Sequence, residues 1–231
     1  MAKAKSKKSL QQNHFSLRTI RPLTANQEKT FRAYGAGQHL MLHGVAGTGK
    51  TYISMYLALE EVLKNDSQYN RIVVIRSVVP SRDMGFLPGS AKEKARVYEE
   101  PYREICDDLF GRGDGYDILR MKGIVEFATT SFLRGVTFRD AIVIVDEFQN
   151  MNLAELDTVI TRIGENCKII FCGDIRQSDF AKKEEKQGMM TFMKILNKMN
   201  IFEKVEFDVQ DIVRSALVKN YIISKLEVGI T

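Results

Sequence analysis

The residues that point most directly to chemistry lie at 44–51, Gly-Val-Ala-Gly-Thr-Gly-Lys-Thr. Gly44, four residues, Gly49, Lys50 and Thr51 form the spacing of a phosphate-binding loop. Backbone N–H groups of Val45, Ala46, Gly47 and Thr48 would point inward and cradle β- and γ-phosphates, and the glycines permit the dihedrals this requires. A following helix, opening through Lys50, Thr51 and Tyr52, would turn its positive end to the anion. Lys50 would reach the terminal phosphates, and the Thr51 hydroxyl would ligate Mg2+. The pattern arises by accident in about one chain of this length in a hundred. The bland alternative is a glycine-rich turn, which a preceding strand and following helix disfavour.

Two further groups fit that chemistry. Residues 142–147 read Ile-Val-Ile-Val-Asp-Glu. A strand ending in an acid sets Asp146 at the carboxyl edge of a sheet, as a Mg2+ partner. Glu147, where the chain turns, could polarise an attacking water as general base. An Asp-Glu pair there favours hydrolysis over transfer to a small molecule; alone, Asp146 would read as a solvated strand end. After the apolar run 168–172 comes Gly173-Asp174-Ile175-Arg176-Gln177. Gln177 could hydrogen-bond the γ-phosphate or the lytic water, and Gln149 could relay the same information. The alternative for Gln177 is a polar loop around a glycine turn.

These residues need strands and helices to hold them. Apolar runs at 38–43, 71–75, 124–128, 141–145, 168–172 and near 203–209 read as strands, the Val/Ile-rich ones buried on both faces. Helical patterns fall at 24–34, with Thr24 as N-cap, and at 50–64, 91–110, 152–163, 186–198 and after Asp211. The alternation implies an α/β domain with a mostly parallel sheet flanked by helices and right-handed crossovers. The segment Gly111–Asp117 reads as a turn. The expected organisation is a flexible basic arm over 1–20, then one domain over 21–231 with an inserted loop and helix region at about 76–120.

Composition narrows the classes. The 231 residues are 44% hydrophobic, which excludes wholesale disorder. Apolar runs are too short to span a bilayer, and no N-terminal stretch reads as a signal peptide, so no membrane partner and a cytoplasmic location are expected. Cys106, Cys167 and Cys172 supply neither a disulfide framework nor CxxC pairs. Lys3, Lys5, Lys7 and Lys8 account for four of the five net positive charges, leaving +1 on the other 222 residues. Such a tail can bind phosphate backbones or serve only as a solubilising terminus. In the insert, Arg76, Arg82, Lys92, Lys94, Arg96 and Arg103 interleave with Phe86, Tyr98 and Tyr102, a pattern suited to single-stranded nucleic acid. Glu93, Glu99, Glu100 and Glu104 dilute the charge, so an inter-subunit surface or solvated helix is the competing reading. His39 and His43, without acidic or Cys partners, read as structural.

Taken in order, LTANQ (23–27), GVAGTGKTYIS (44–54), RSVV (76–79), GFLPGS (85–90), FLRGVTFRDAIVIVDEFQNM (132–151), CGDIRQSDF (172–180) and DIVRSALV (211–218) resemble the PhoH-like family of P-loop ATPases. The resemblance spans about 22–222, with GFLPG and the DE-x-QN block its most discriminating stretches. It implies a RecA-like P-loop NTPase core shared with superfamily 1 helicases, with ATP and Mg2+ as cofactors. By analogy with related helicases, Gln27 would read the adenine edge. Arg214 matches a late arginine that neutralises γ-phosphate charge in cis or from a neighbouring subunit; Arg134 and Arg176 are other cations that could act in trans. Phe148 stands where the family commonly has alanine, Ser77 where it has proline, and Ser215-Ala216 where it has His-Pro. One RecA-like core lacks the second wall found in two-core helicases, so the resemblance implies a homo-oligomeric ring, a hexamer. The expected function is ATP hydrolysis coupled to single-stranded RNA or DNA. The alternatives are a nucleotide-switched interaction module with little turnover and a small-molecule kinase.

Overall fold

The computed structural model describes residues 15–77, 91–133, 135–175 and 183–229. Six strands form one sheet: β1 His39–Gly44, β2 Arg71–Arg76, β3 Val125–Thr129, β4 Ala141–Asp146, β5 Cys167–Gly173 and β6 Phe202–Phe207. Their order is β3-β2-β4-β5-β1-β6 and every neighbouring pair is parallel. The mostly parallel sheet expected from the strand patterns is therefore wholly parallel. Its central strands are apolar on both faces because both are covered. Ile142 and Ile144 of β4 face one core cluster, and Val143 and Val145 face the other.

Helices α1 Ala25–Gly35, α2 Lys50–Val62, α3 Ala91–Phe110 and α4 Gly115–Met121 are packed on the first face. Helices α5 Leu153–Thr161 and α6 Lys183–Met199 cover the second through Leu156, Val159, Met189, Phe192 and Leu196. Thr24 caps α1, its side chain accepting from Gln27 N at 3.3 Å. Helix α7, Ala216–Glu227, closes the described chain and buries none of its residues.

Two expectations are corrected. The stretch Gly111–Asp117 is not all turn: Gly115 opens α4, whose Tyr116 and Leu119 are fully buried. A Cβ on Gly115 would lie 3.0 Å from the Cys106 carbonyl oxygen, so the glycine lets α4 pack closely on α3. Seven residues are too few for a helical period to stand out beside four turn-forming residues. Nor do residues 15–20 behave as a flexible arm. Phe15 stacks on Phe110 at 4.1 Å, Arg18 N donates to Leu109 O at 2.9 Å, and Leu17 and Ile20 pack against the core. Apolar residues that reach a core are ordered by it, and the lysine-rich composition before them masked that.

Candidate functional site

In a parallel sheet all carboxyl ends share one edge, and loops leaving that edge converge. Gly44–Thr51 leaves β1, Asp146-Glu147 leaves β4, and Gly173-Asp174 leaves β5; together they line a cleft of about 610 Å³. The strands of Asp146 and Gly173 are direct neighbours, with Asp146 registered on Cys172.

The loop is shaped by its glycines. Gly44 has φ +120°, and a Cβ there would overlap the backbone of Phe207 on β6. Gly47 and Gly49 have φ +76° and +82°, open to glycine at little cost. Thr48 Oγ1 donates to Val45 O at 3.0 Å. The 13-residue helix α2 begins at Lys50, so its positive end opens onto the cleft. Lys50 folds back onto the loop, donating to Gly44 O at 2.9 Å, Val45 O at 2.8 Å and Thr48 Oγ1 at 3.3 Å. Burial pushes its ammonium below the ordinary lysine range, and Asp174, Cys172, Glu147 and Asp146 oppose that push.

Thr51 Oγ1 donates to Asp146 Oδ1 at 2.8 Å, and Tyr102 of α3 donates from its hydroxyl to Asp146 Oδ2, also at 2.8 Å. Burial and then Glu147 raise the Asp146 carboxyl, while Thr51 and Tyr102 lower it. A hydroxyl and a carboxylate held in contact beside a phosphate loop are the hard oxygen donors that Mg2+ takes there, so the residues fit that ion. Glu147 sits in the left-handed region at φ 51°, as Asp140, Asn166 and Asn200 do elsewhere, a conformation few residues other than glycine adopt. Gln149 holds it: Nε2 donates to Glu147 Oε2, and Oε1 accepts from Asp174 N at 3.0 Å. Phe148 is buried edge-on against Phe171 at 5.7 Å, so the aromatic ring belongs to the core under the site.

Arg214 follows a 3-10 turn at Val209–Asp211. Val213 N donates to Gly47 O at 3.0 Å, which pins this segment on the loop of its own chain, and Arg214 lines the cleft. Gln177, Arg176 and Arg134 lie outside the described residues, as do Arg82 and Phe86. Gln27 is 3% exposed; Oε1 accepts from Leu23 N at 2.8 Å and Nε2 donates to Thr48 O at 3.0 Å. Each amide atom is thus engaged by backbone, and Gln27 braces the phosphate loop against α1.

Several site residues escaped the sequence reading. Arg76 ends β2 in register with Asp146 and enters the cleft. Burial opposes its charge, but Tyr102, Asp146 and Glu147 raise it. Pro101, Glu104, Ile105 and Asp108 of α3 form the facing wall, with Tyr52 donating to Asp108 Oδ2 at 2.6 Å. Of these, Arg76 was expected as a cation of a nucleic-acid surface, and the structure sets it in the phosphate-loop cleft. A second, more apolar cavity of about 450 Å³ adjoins the loop at Gly47 and Gly49, walled by Ile20, Leu23, Tyr52 and Val213. Besides Arg76, two more residues of the expected nucleic-acid pattern are committed elsewhere. Tyr102 is fully buried on Asp146, and Arg103 pairs with Asp117 at 2.6 Å and Glu100 at 3.7 Å. Their helical spacing turned them inward, toward the cleft and α4.

Among the described residues no group of three or more His, Cys, Asp and Glu gathers as a metal cage, and no helix is long and apolar enough to cross a membrane.

The family described as PhoH-like protein matches residues 19–225. The chain is 34% identical over 206 residues to a PhoH-like protein of Bacillus subtilis (strain 168), covering 89% of this chain and 63% of that protein. It is 35% identical over 205 residues to Protein PhoH of Escherichia coli (strain K12), covering 87% of this chain and 57% of that protein. It spans about three fifths of the length of the curated relatives it matches. Among solved structures, the DUF1998 helicase MrfA bound to DNA aligns with a TM-score of 0.47 at 12% identity, over 80% of this chain and 26% of that one. With a phosphate loop after β1, an acid-ended strand one strand away across β5 and this match over most of its length, the chain belongs to the PhoH-like protein family.

Proposed function

We propose that the protein binds ATP with Mg2+ and hydrolyses it to ADP and phosphate, coupling turnover to single-stranded RNA or DNA. The observation that carries this reading is the 2.8 Å contact of Thr51 with Asp146, set beside Lys50 at the N-terminus of α2. Lys50 exchanges its loop carbonyls for phosphate oxygens, a stronger charge-assisted pairing. Thr51 and Asp146 hold Mg2+, which when bound neutralises phosphate charge. Glu147, oriented by Gln149, accepts the proton of the attacking water. Arg214 and Arg76 lie where they offset negative charge in the cleft. The apolar cavity walled by Ile20, Leu23, Tyr52 and Val213 takes the base. Gln177, outside the described residues, senses the γ-phosphate.

Nucleic acid runs across the same sheet edge. There a groove of about 490 Å³ is lined by Thr130, Ser131, Asn152 and Thr158. Hydroxyls and amides of this kind contact phosphates and sugars without reading sequence. Glu155 in that groove accepts from Ser77 at 3.0 Å and Thr130 at 2.6 Å, which turns its carboxylate toward protein donors. A ring of subunits supplies the second wall of the nucleotide cleft, with Arg134 or Arg176 of a neighbour completing it.

The test is steady-state phosphate release from ATP, alone and with single-stranded RNA or DNA, with Lys50→Ala as the blank. Lys50-dependent release stimulated by one polymer supports the reading. Release unaffected by any polymer removes the nucleic-acid coupling, and tight binding without release removes hydrolysis. Light scattering with an ATP analogue that shows only monomer removes the ring.

A further inference from the structure

The Asp146 carboxylate is held from two directions that have no sequence relation. Oδ1 takes the Thr51 hydroxyl from α2, inside the phosphate loop motif. Oδ2 takes the Tyr102 hydroxyl from α3, within the segment between β2 and β3. Tyr102 is fully buried, and its ring packs on Phe127 of β3 at 5.7 Å. A tyrosine that only filled the core would be as well served by phenylalanine, since its hydroxyl must find a partner when buried. Here the hydroxyl donates to the carboxylate that also binds Thr51, and it is hydrogen-bonded to the Arg76 side chain as well. Helix α3 is tied to the rest of the site at its far end as well. Asp108 accepts from Tyr52 at 2.6 Å, and Leu109 O accepts from Arg18 N in the segment leading to the base cavity.

We propose that Tyr102 is a positioning residue: its hydroxyl fixes the Asp146 carboxylate for Mg2+ and couples α3 to the metal-nucleotide site. This rests on the reading of Thr51 and Asp146 as the metal-binding pair. With both oxygens anchored, the carboxylate cannot rotate away from Thr51, so the metal meets a preformed pair. Partners that orient a metal-binding carboxylate set its affinity for the ion. The same bond makes α3, the wall facing the phosphate loop, sense whether the ion is in place.

The experiment is a Mg2+ titration of the binding of a fluorescent ATP analogue to wild type, Tyr102→Phe and Tyr116→Phe. Tyr116 is equally buried in the α3–α4 pair, but its hydroxyl faces Glu99 rather than Asp146. Tyr102→Phe should raise the half-saturating Mg2+ concentration about 10-fold, leaving binding in EDTA unchanged. Tyr116→Phe should leave the Mg2+ requirement at the wild-type value. A wild-type requirement in Tyr102→Phe, or an equal shift in Tyr116→Phe, overturns the proposal. Hydrogen exchange on the wild type needs no variant: adding Mg2+ to the nucleotide complex should slow exchange of α3 amides around residues 98–106, and no change there overturns the coupling. If wild-type binding ignores Mg2+ altogether, the metal-binding pair itself is refuted and this role with it. A wild type that responds to Mg2+ beside an unshifted Tyr102→Phe removes the role of Tyr102 alone.

Discussion

Replacing Gly44 by alanine probes how the phosphate loop is seated. Gly44 is the last residue of β1, at φ +120°. Its missing side chain lets β6 approach: a Cβ would overlap the Phe207 carbonyl oxygen and lie 2.8 Å and 2.9 Å from the Phe207 nitrogen and carbonyl carbon. All three atoms are backbone, so no rotamer change relieves the overlap. Holding alanine at this φ costs about 1–3 kcal/mol. Parting the strand ends weakens the bond from Val45 N to Phe207 O, now 3.0 Å, worth about 1 kcal/mol. Residual overpacking adds about 1–3 kcal/mol. The sum, about 3–7 kcal/mol, is a large share of the roughly 5–15 kcal/mol that holds a domain folded. At about 2–4 °C per kcal/mol for a chain of this size, it corresponds to a fall in Tm of at least about 6 °C. Calorimetry checks this, with Gly35→Ala as the control, because no atom lies within 4 Å of a Cβ there. Nucleotide binding should be lost together with stability. A Gly44→Ala protein melting with the wild type would refute the claim that close approach of β6, and not loop flexibility alone, requires glycine.

Glu147→Gln should keep nucleotide binding and lower single-turnover phosphate release by about 10²–10⁴-fold, the range for a lost general base; normal release removes the assigned role. Gly173→Ala should displace Gln149, because its Cβ would overlap Gln149 Oε1 and sit 2.8 Å from the buried Phe148 ring. Glu147 then loses its anchor, so kcat should fall more than KM rises, with about 1–3 kcal/mol lost in urea unfolding. His39 Nδ1 accepts from Ile169 N at 3.2 Å, and burial, then Lys168, hold the imidazole below its ordinary range. The unfolded chain therefore takes up the proton first, so stability should be intact above about pH 6.5 and fall as pH drops toward the folded value. His39→Asn, which retains an acceptor, should flatten that slope in unfolding measured between pH 5 and 7; an unchanged slope assigns it to other groups.

Much of this molecule is written locally. The spacing Gly44, Gly49, Lys50, Thr51 announces the loop because its chemistry depends on consecutive backbone groups. The runs IVVI and AIVIV announce central strands because covering both faces leaves no polar positions to interrupt them. Asp146 was legible as a strand-ending acid for the same reason. What sequence could not supply was adjacency across the sheet and across the segment between β2 and β3. Strand order sets Arg76 beside Asp146, and the path of α3 turns Tyr102 inward onto that carboxylate, although its neighbours suggested a nucleic-acid surface. Gln27 carries amide groups suited to a base and lines the apolar cavity beside the loop, where the packing of α1 gives both amide atoms a backbone partner. Residues 15–20 read as part of a flexible arm until Phe15 meets Phe110 and Ile20 lines the apolar cavity beside the loop. Residue types determine which chemistry is available, whereas the directions in which side chains leave distant elements determine which of them meet, and those directions exist only in the folded chain.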